Sequence, residues 1–294
     1  DVNLTDKLEL STSLRYDRDH RKNTTETPAQ FIPAPLVGIA FPGQVRTHTW
    51  DDLQPKVTLR HKPTRDSTLY IGYSRGFRSG GFNQTGVGAA GIAGVNDLFD
   101  AETANTYEAG AKADFLDRRV GANVSIYHTQ AKGSYFFVFD PNTSTQNLGN
   151  LDRVNYTGAE FEVRGRILEG FDGYVGLGYT DSDIKESRRA ASDVGNEAPL
   201  VSRYTTNVGL QYRHSLRSEL SAFVRSDIEV IGPTWFYPDN FTERDPVTLL
   251  NVRLGVDSRS WSATRGGDTS RSGCSSPWRS TPCRSPRRWR KPKR

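Results

Sequence analysis

From Leu8 to Val256, apolar side chains recur at every second position in runs of about ten residues. Residues 203–213 are representative. Tyr204, Thr206, Val208, Leu210 and Tyr212 share one face, and Arg203, Thr205, Asn207, Gly209, Gln211 and Arg213 share the other. Successive side chains of a strand point to opposite faces, so such a run describes a sheet that is apolar on one side and polar on the other. The pattern predicts an all-β, antiparallel chain. Many such runs, joined alternately by short and long connections, are the signature of a transmembrane β-barrel wall.

About ten strands follow from this reading. The first, about 7–18, sets Leu8, Leu10, Thr12, Leu14 and Tyr16 opposite Lys7, Glu9, Ser11, Ser13 and Arg15. The others are expected near 49–62, 68–78, 103–115, 120–126, 159–167, 175–179, 204–213, 220–230 and 250–256. Tight turns are expected at 61–67, 116–119, 168–170 and 214–217. Long connections are expected at 19–48, at 79–102, around Asp140-Pro141-Asn142, at 182–200 and at 232–246. Short turns at one end and long loops at the other suit an outer-membrane barrel, whereas a soluble sandwich has no need of such inequality. The polar face also stays charged in mid-strand, at Glu160, Glu162 and Arg164.

Composition agrees. No stretch approaches the 18 apolar residues of a helical membrane span, and a hydrophilic average is expected where only alternate residues meet lipid. The net charge of +5 divides unevenly along the chain. Residues 259–294 hold 11 Lys or Arg and one Asp, leaving 28 basic and 33 acidic residues in 1–258. Cys274 and Cys283 both lie in that tail, and a body without cysteine suits an oxidising compartment. Because the chain starts at Asp1 with neither an initiator Met nor a signal peptide, it is expected to be a fragment of a longer precursor.

Several blocks then carry a resemblance. Gln54-Pro55-Lys56-Val57-Thr58-Leu59-Arg60, followed by Leu69-Tyr70-Ile71-Gly72-Tyr73-Ser74-Arg75-Gly76-Phe77-Arg78-Ser79-Gly80-Gly81-Phe82-Asn83, resembles a TonB-dependent outer-membrane receptor. Asn105-Thr106-Tyr107-Glu108-Ala109-Gly110, Gly158-Ala159-Glu160-Phe161-Glu162, Gly178-Tyr179-Thr180-Asp181 and Gly195-Asn196-Glu197-Ala198-Pro199 are similar to further strands and loops of that family, in its order. The resemblance covers about 1–263. It implies ten or so strands of a 22-stranded barrel in the outer membrane of a Gram-negative cell. Such a barrel is filled by a plug domain, is energised by the TonB complex, and imports an iron–siderophore or another scarce nutrient. The chain contains neither plug nor TonB box, so it is expected to be the later half of a receptor wall, non-functional alone.

At the tail the resemblance breaks. Trp261-Ser262-Ala263-Thr264 fits a further strand, but alternation then stops and Arg, Ser, Pro, Gly, Cys and Trp take over. Two domains are therefore expected: a partial barrel at 1–264 and a disordered basic tail at 265–294. One reading of the tail is an arm for nucleic acid or anionic lipid. The reading preferred is a frameshift near 263–266, with no nucleic-acid partner.

Candidate ligand-binding residues are Arg75, Phe77, Arg78, Phe82 and Asn83, where a strand meets a Gly-rich loop, and Trp235, Phe236 and Tyr237 in the last full loop. The arginines could meet an anionic siderophore and the aromatics could stack on it. The first group could equally shape the rim or touch the plug, and the second could belong to the aromatic girdle. The five histidines show no metal-ligand spacing, no cofactor motif is present, and no nucleophile–base arrangement suggests an enzyme. Alternatives to a receptor are a passive porin, which would lack plug and TonB box, and a surface barrel whose loss leaves nutrient uptake intact.

Overall fold

The computed structural model describes residues 1–32, 40–140, 145–258 and 262–271. Its strands, in chain order, are β1 (Val2–Thr5), β2 (Leu8–Thr24), β3 (Val45–Thr64), β4 (Ser67–Arg78), β5 (Gly81–Phe82), β6 (Leu98–Phe99), β7 (Glu102–Phe115) and β8 (Val120–Asp140). They continue with β9 (Thr145–Leu168), β10 (Phe171–Glu186), β11 (Tyr204–Arg217), β12 (Leu220–Ile231), β13 (Thr234–Trp235), β14 (Glu243–Arg244), β15 (Val247–Ser258) and β16 (Ser262–Arg271). Twelve of these form one antiparallel sheet in the order β1-β2-β3-β4-β7-β8-β9-β10-β11-β12-β15-β16. The remaining four make two small hairpins within the loops, β5 with β6 and β13 with β14.

The predicted alternation sets the register. Leu10, Leu59, Ile71, Ala109, Ile126 and Ala159 are successive cross-strand partners from β2 to β9. Val163, Val175, Val208, Ile228 and Leu250 continue the apolar face from β9 to β15. A one-residue slip would turn every one of these side chains to the other face, so the pattern fixes the pairing. Several of these residues stand open on the outward face, including Ile71 at 58%, Ile126 at 60% and Ile228 at 40% exposure. An apolar surface this extensive marks a lipid or partner contact. On the opposite face, charges pair across strands: Glu9 accepts from Arg60 at 2.6 Å and Lys62 at 2.8 Å, and Arg213 reaches Asp257 at 2.6 Å.

The described residues have a small apolar core, and it lies outside the band of outward apolar residues. Phe136, Leu151, Val154 and Ile184 are buried together where β8, β9 and β10 run past that band, with Ala198 of the connection after β10 packed among them. This overrun differs from the sequence reading. β10 continues through Glu186, β2 reaches Thr24 and β3 starts at Val45, so strand replaces the ends of the connections expected at 182–200 and 19–48. Backbone pairing with a neighbour holds these extensions, and polar side chains beyond the lipid-facing band need no alternation.

The tail also differs. Strand β16 continues to Arg271, in register with β15 from Asp257↔Ser262 to Thr248↔Arg271, past the boundary expected at 264/265. The β15 edge supplies the hydrogen bonds, so pairing there does not require an apolar pattern. Trp261, Pro141, Asn142 and the cysteine-bearing segment 272–294 lie outside the described residues. The sheet ends at β1 on one side and β16 on the other, so it is an open wall.

Candidate functional site

The longer connections leave the wall at one end, and there their described residues pack on one another. The loop between β4 and β7 is pinned by Asn83, which is 8% exposed. Its amide nitrogen donates to the Asn96 and Leu148 carbonyls, both at 2.7 Å, and its oxygen accepts from the Leu148 amide at 2.9 Å. Arg46 donates to the carbonyl of Asn83 at 2.7 Å and to that of Asp97 at 3.1 Å. The Asp97 carboxylate in turn accepts from the Gly86 and Gly88 amides, which closes the loop on itself.

A second pair of loops, 187–203 and 232–246, is fastened in the same manner. Asn196 donates to the Pro238 carbonyl at 2.9 Å. Asn240 accepts from the Glu197 amide at 2.8 Å and donates to its carbonyl at 3.0 Å. The fully buried Asp193 takes Arg189 through two hydrogen bonds and accepts from the Ser187 hydroxyl at 2.9 Å. The guanidinium carbon of Arg189 lies 6.0 Å from the Phe136 ring, which ties this loop to the β8–β9 hairpin. Arg188 binds Asp152, whose carboxylate holds the guanidinium above its ordinary pKa.

The first group of sequence candidates converges on the loop after β4, with differing roles. Arg75 forks onto Asp52 at 2.6 and 2.9 Å. Phe77 is half-buried in β4 opposite Thr103. Phe82 packs edge-on against Trp50 at 6.0 Å with the Arg46 guanidinium above it. The amide of Asn83 is wholly used in holding the loop. Arg78 stands out, since its side chain is 58% exposed while it pairs with Glu102 at 2.5 Å and lies 3.9 Å from the Tyr135 ring.

Trp235, Phe236 and Tyr237 sit on a different loop, between β12 and β15, with five wall strands separating β12 from β4. Trp235 is half-buried and its carbonyl accepts from Leu200, while Phe236 and Tyr237 are 42% and 40% exposed. The sequence reading missed their neighbour Phe241, which is 90% exposed, and missed Tyr135 and Glu102 as partners of Arg78. The aromatic run Tyr135-Phe136-Phe137-Val138-Phe139 was the available signal for Tyr135.

Among the described residues, no group of three His, Cys, Asp or Glu side chains could hold a metal ion. No helix among them is long and apolar enough to cross a membrane, which leaves strand crossing untouched. A family model described as TonB dependent receptor-like, beta-barrel matches residues 1–268. The chain belongs to the TonB-dependent receptor β-barrel family.

Proteins of this family are outer-membrane transport receptors rather than enzymes, and they bind siderophores and TonB in general. This TonB-dependent receptor wall is 23% identical over 269 residues to the probable TonB-dependent siderophore receptor PiuA of Acinetobacter baumannii. The match covers 87% of the chain and 35% of that relative, so the chain spans about a third of the relative's length. Among solved structures, it resembles the ferric yersiniabactin uptake receptor FyuA of Yersinia pestis, with a TM-score of 0.67 and 20% identity, over 86% of this chain and 36% of that one. It also resembles the copper transporter OprC, with a TM-score of 0.63 and 15% identity, over 90% and 40%. At these identities the likeness is one of fold.

Proposed function

We propose that this chain forms part of the barrel wall of a receptor that imports a ferric siderophore, or a chemically similar scarce nutrient, across an outer membrane with energy from TonB. The carrying observation is that the long connections are cross-braced by Asn83, Asp193, Asn196 and Asn240 into an ordered surface at one end of the wall. A receptor gains affinity from surfaces ordered before the ligand arrives, because less ordering remains to be done on binding. Arg78 beside Tyr135, and the exposed Phe236 and Tyr237, are the groups best placed to meet an anionic, aromatic ligand. Arg75, Phe82 and Asn83 act on this reading by shaping the rim, and Phe77 supports it from the strand below.

The wall works within a larger barrel. The outer edges of β1 and β16 would leave backbone groups unpaired in hydrocarbon, at several kcal/mol each. The chain alone is therefore inactive, and the plug, TonB complex and lipid are partners of the complete receptor. The test is uptake of radioactive iron, as catecholate or hydroxamate complexes, by cells carrying that receptor. Saturable uptake that vanishes without TonB supports the proposal; unsaturable, TonB-independent entry supports a porin.

We further infer that the tail is out-of-frame sequence. Arg265 falls opposite Leu254 on the outward face, where a wall strand carries an apolar residue. Reading the gene past Ala263 in the other frames tests this. A restored alternating strand ending in an aromatic residue supports it, and its absence in every frame rejects it.

A further inference from the structure

The two groups of candidate ligand contacts are joined at Arg189. In the loop after β4, Gly94 takes a φ of +76°, and its carbonyl approaches β9 so closely that a Cβ on Gly149 would stand 2.7 Å from that oxygen. Gly94 also faces Arg189 of the loop after β10: a Cβ added to Gly94 would stand 3.0 Å from both Cβ and Cγ of Arg189. So close an approach at a left-handed backbone angle suits glycine. Gly91 in the same loop differs, with a φ of +74° and nothing within 4 Å of an added Cβ.

From this junction, contacts run to both groups. Asn83 donates to the Asn96 carbonyl at 2.7 Å, which ties the Gly94 segment back toward Arg78 at the end of β4. Asn150 grips Asp100, two residues before the Glu102 that pairs with Arg78. It accepts from the Asp100 amide at 2.8 Å and donates to the Asp100 carbonyl at 3.1 Å. In the other direction Arg189 binds Asp193, whose carbonyl accepts from the Asn196 amide at 3.0 Å. Asn196 in turn donates to the carbonyl of Pro238, beside Tyr237, at 2.9 Å. Arg188 adds a second bridge, to Asp152 on β9 and, at 3.8 Å, to Asp100. Its side chain is 81% exposed, so those pairs are screened and add little. Arg189, 19% exposed and paired with the fully buried Asp193, carries the junction.

We propose that Arg189 is a positioning residue that holds Arg78 with Tyr135, and Phe236 with Tyr237, in one fixed arrangement, so that loosening either loop loosens the other. Loops that share an ordering cost are coupled through it: a ligand that orders one meets the second already ordered. The inference rests on the receptor reading for the role of those four side chains, whereas its test needs no ligand.

Hydrogen exchange in the complete receptor carrying this wall, purified from outer membranes, tests the junction. Gly94→Ala and Gly91→Ala impose similar backbone strain, and only the first also crowds Arg189. Gly94→Ala should therefore raise exchange about fivefold or more in 187–203 and 232–246, as overpacking does, while Gly91→Ala should change only 79–101. Arg189→Ala combined with Asp193→Ala leaves no buried charge unpaired, and should raise exchange about fivefold or more in 79–101. In that background Gly94→Ala should have no effect outside its own loop. Arg189→Lys keeps the stem against Gly94 and a cation for Asp193, and should retain slow exchange in 79–101.

Equal effects of Gly94→Ala and Gly91→Ala on 232–246 would overturn the proposal. So would unchanged exchange in 79–101 in the double variant, or a rise in Arg189→Lys as large as that variant's. If Gly94→Ala does not assemble, the double variant decides alone. TonB-independent iron entry with the coupling intact would reject the receptor reading, whereas TonB-dependent uptake without coupling would reject the junction.

Discussion

Single residues hold this wall through close approach rather than through a core. Tyr70, Tyr127 and Tyr174 each lie on the polar face directly opposite a glycine of the next strand, Gly110, Gly158 and Gly209. A Cβ on Gly209 would stand 2.1 Å from the Tyr174 ring. Gly209→Ala should therefore displace Tyr174 and its 3.1 Å hydrogen bond to Asp227, at a cost of about 1–3 kcal/mol as for other overpacking. A urea-unfolding midpoint measures this, and Tyr174→Ala in the same molecule should recover most of the loss. Asp193 is the corresponding residue in the loops. Asp193→Ala would strip the half-buried Arg189 of its fully buried partner, and the expected loss is about 3 kcal/mol of local stability, read as faster hydrogen exchange in 187–203. Unchanged exchange would mean that this pair does not order the loop.

At the level of elements, the strands were legible and their ends were not. Alternation at Tyr204–Tyr212 or Leu69–Tyr73 reports lipid on one side, a requirement that lasts only as long as the hydrocarbon does. Beyond it, β8 and β9 are held by each other and by the loops resting on them, so Ser134 and Asn147 are buried with no periodic signal to announce it. The site was legible to the same degree. The Arg-rich strand end at Arg75–Arg78 could be found, but the partners Glu102, Tyr135 and Asp52 depend on register and were invisible in one dimension. Asn83 shows how a motif residue can serve the scaffold. Asn83→Ala should release the 79–101 loop, removing hydrogen bonds worth roughly 1–3 kcal/mol together, and limited proteolysis should then cut within it. A loop that stays resistant would show that Arg46 and Asp97 suffice.

For the whole molecule, the account is of an open wall whose two faces meet different solvents. Arg265 is the outward residue that fits this worst. Arg265→Leu should stabilise the membrane-inserted receptor by about 2–4 kcal/mol, since an arginine facing mid-bilayer costs that much. No gain would place β16 outside the hydrocarbon. The central claim is tested most directly by single cysteines placed at 204–213, with Cys274 and Cys283 replaced by serine, in the inserted receptor. Cysteines at Thr206, Val208, Leu210 and Tyr212 should be quenched by lipid-borne probes, and those at Thr205, Asn207, Gly209 and Gln211 should be labelled by water-soluble reagents. A period of two across all of these positions is the predicted result; uniform labelling, or a period near 3.6, would contradict it.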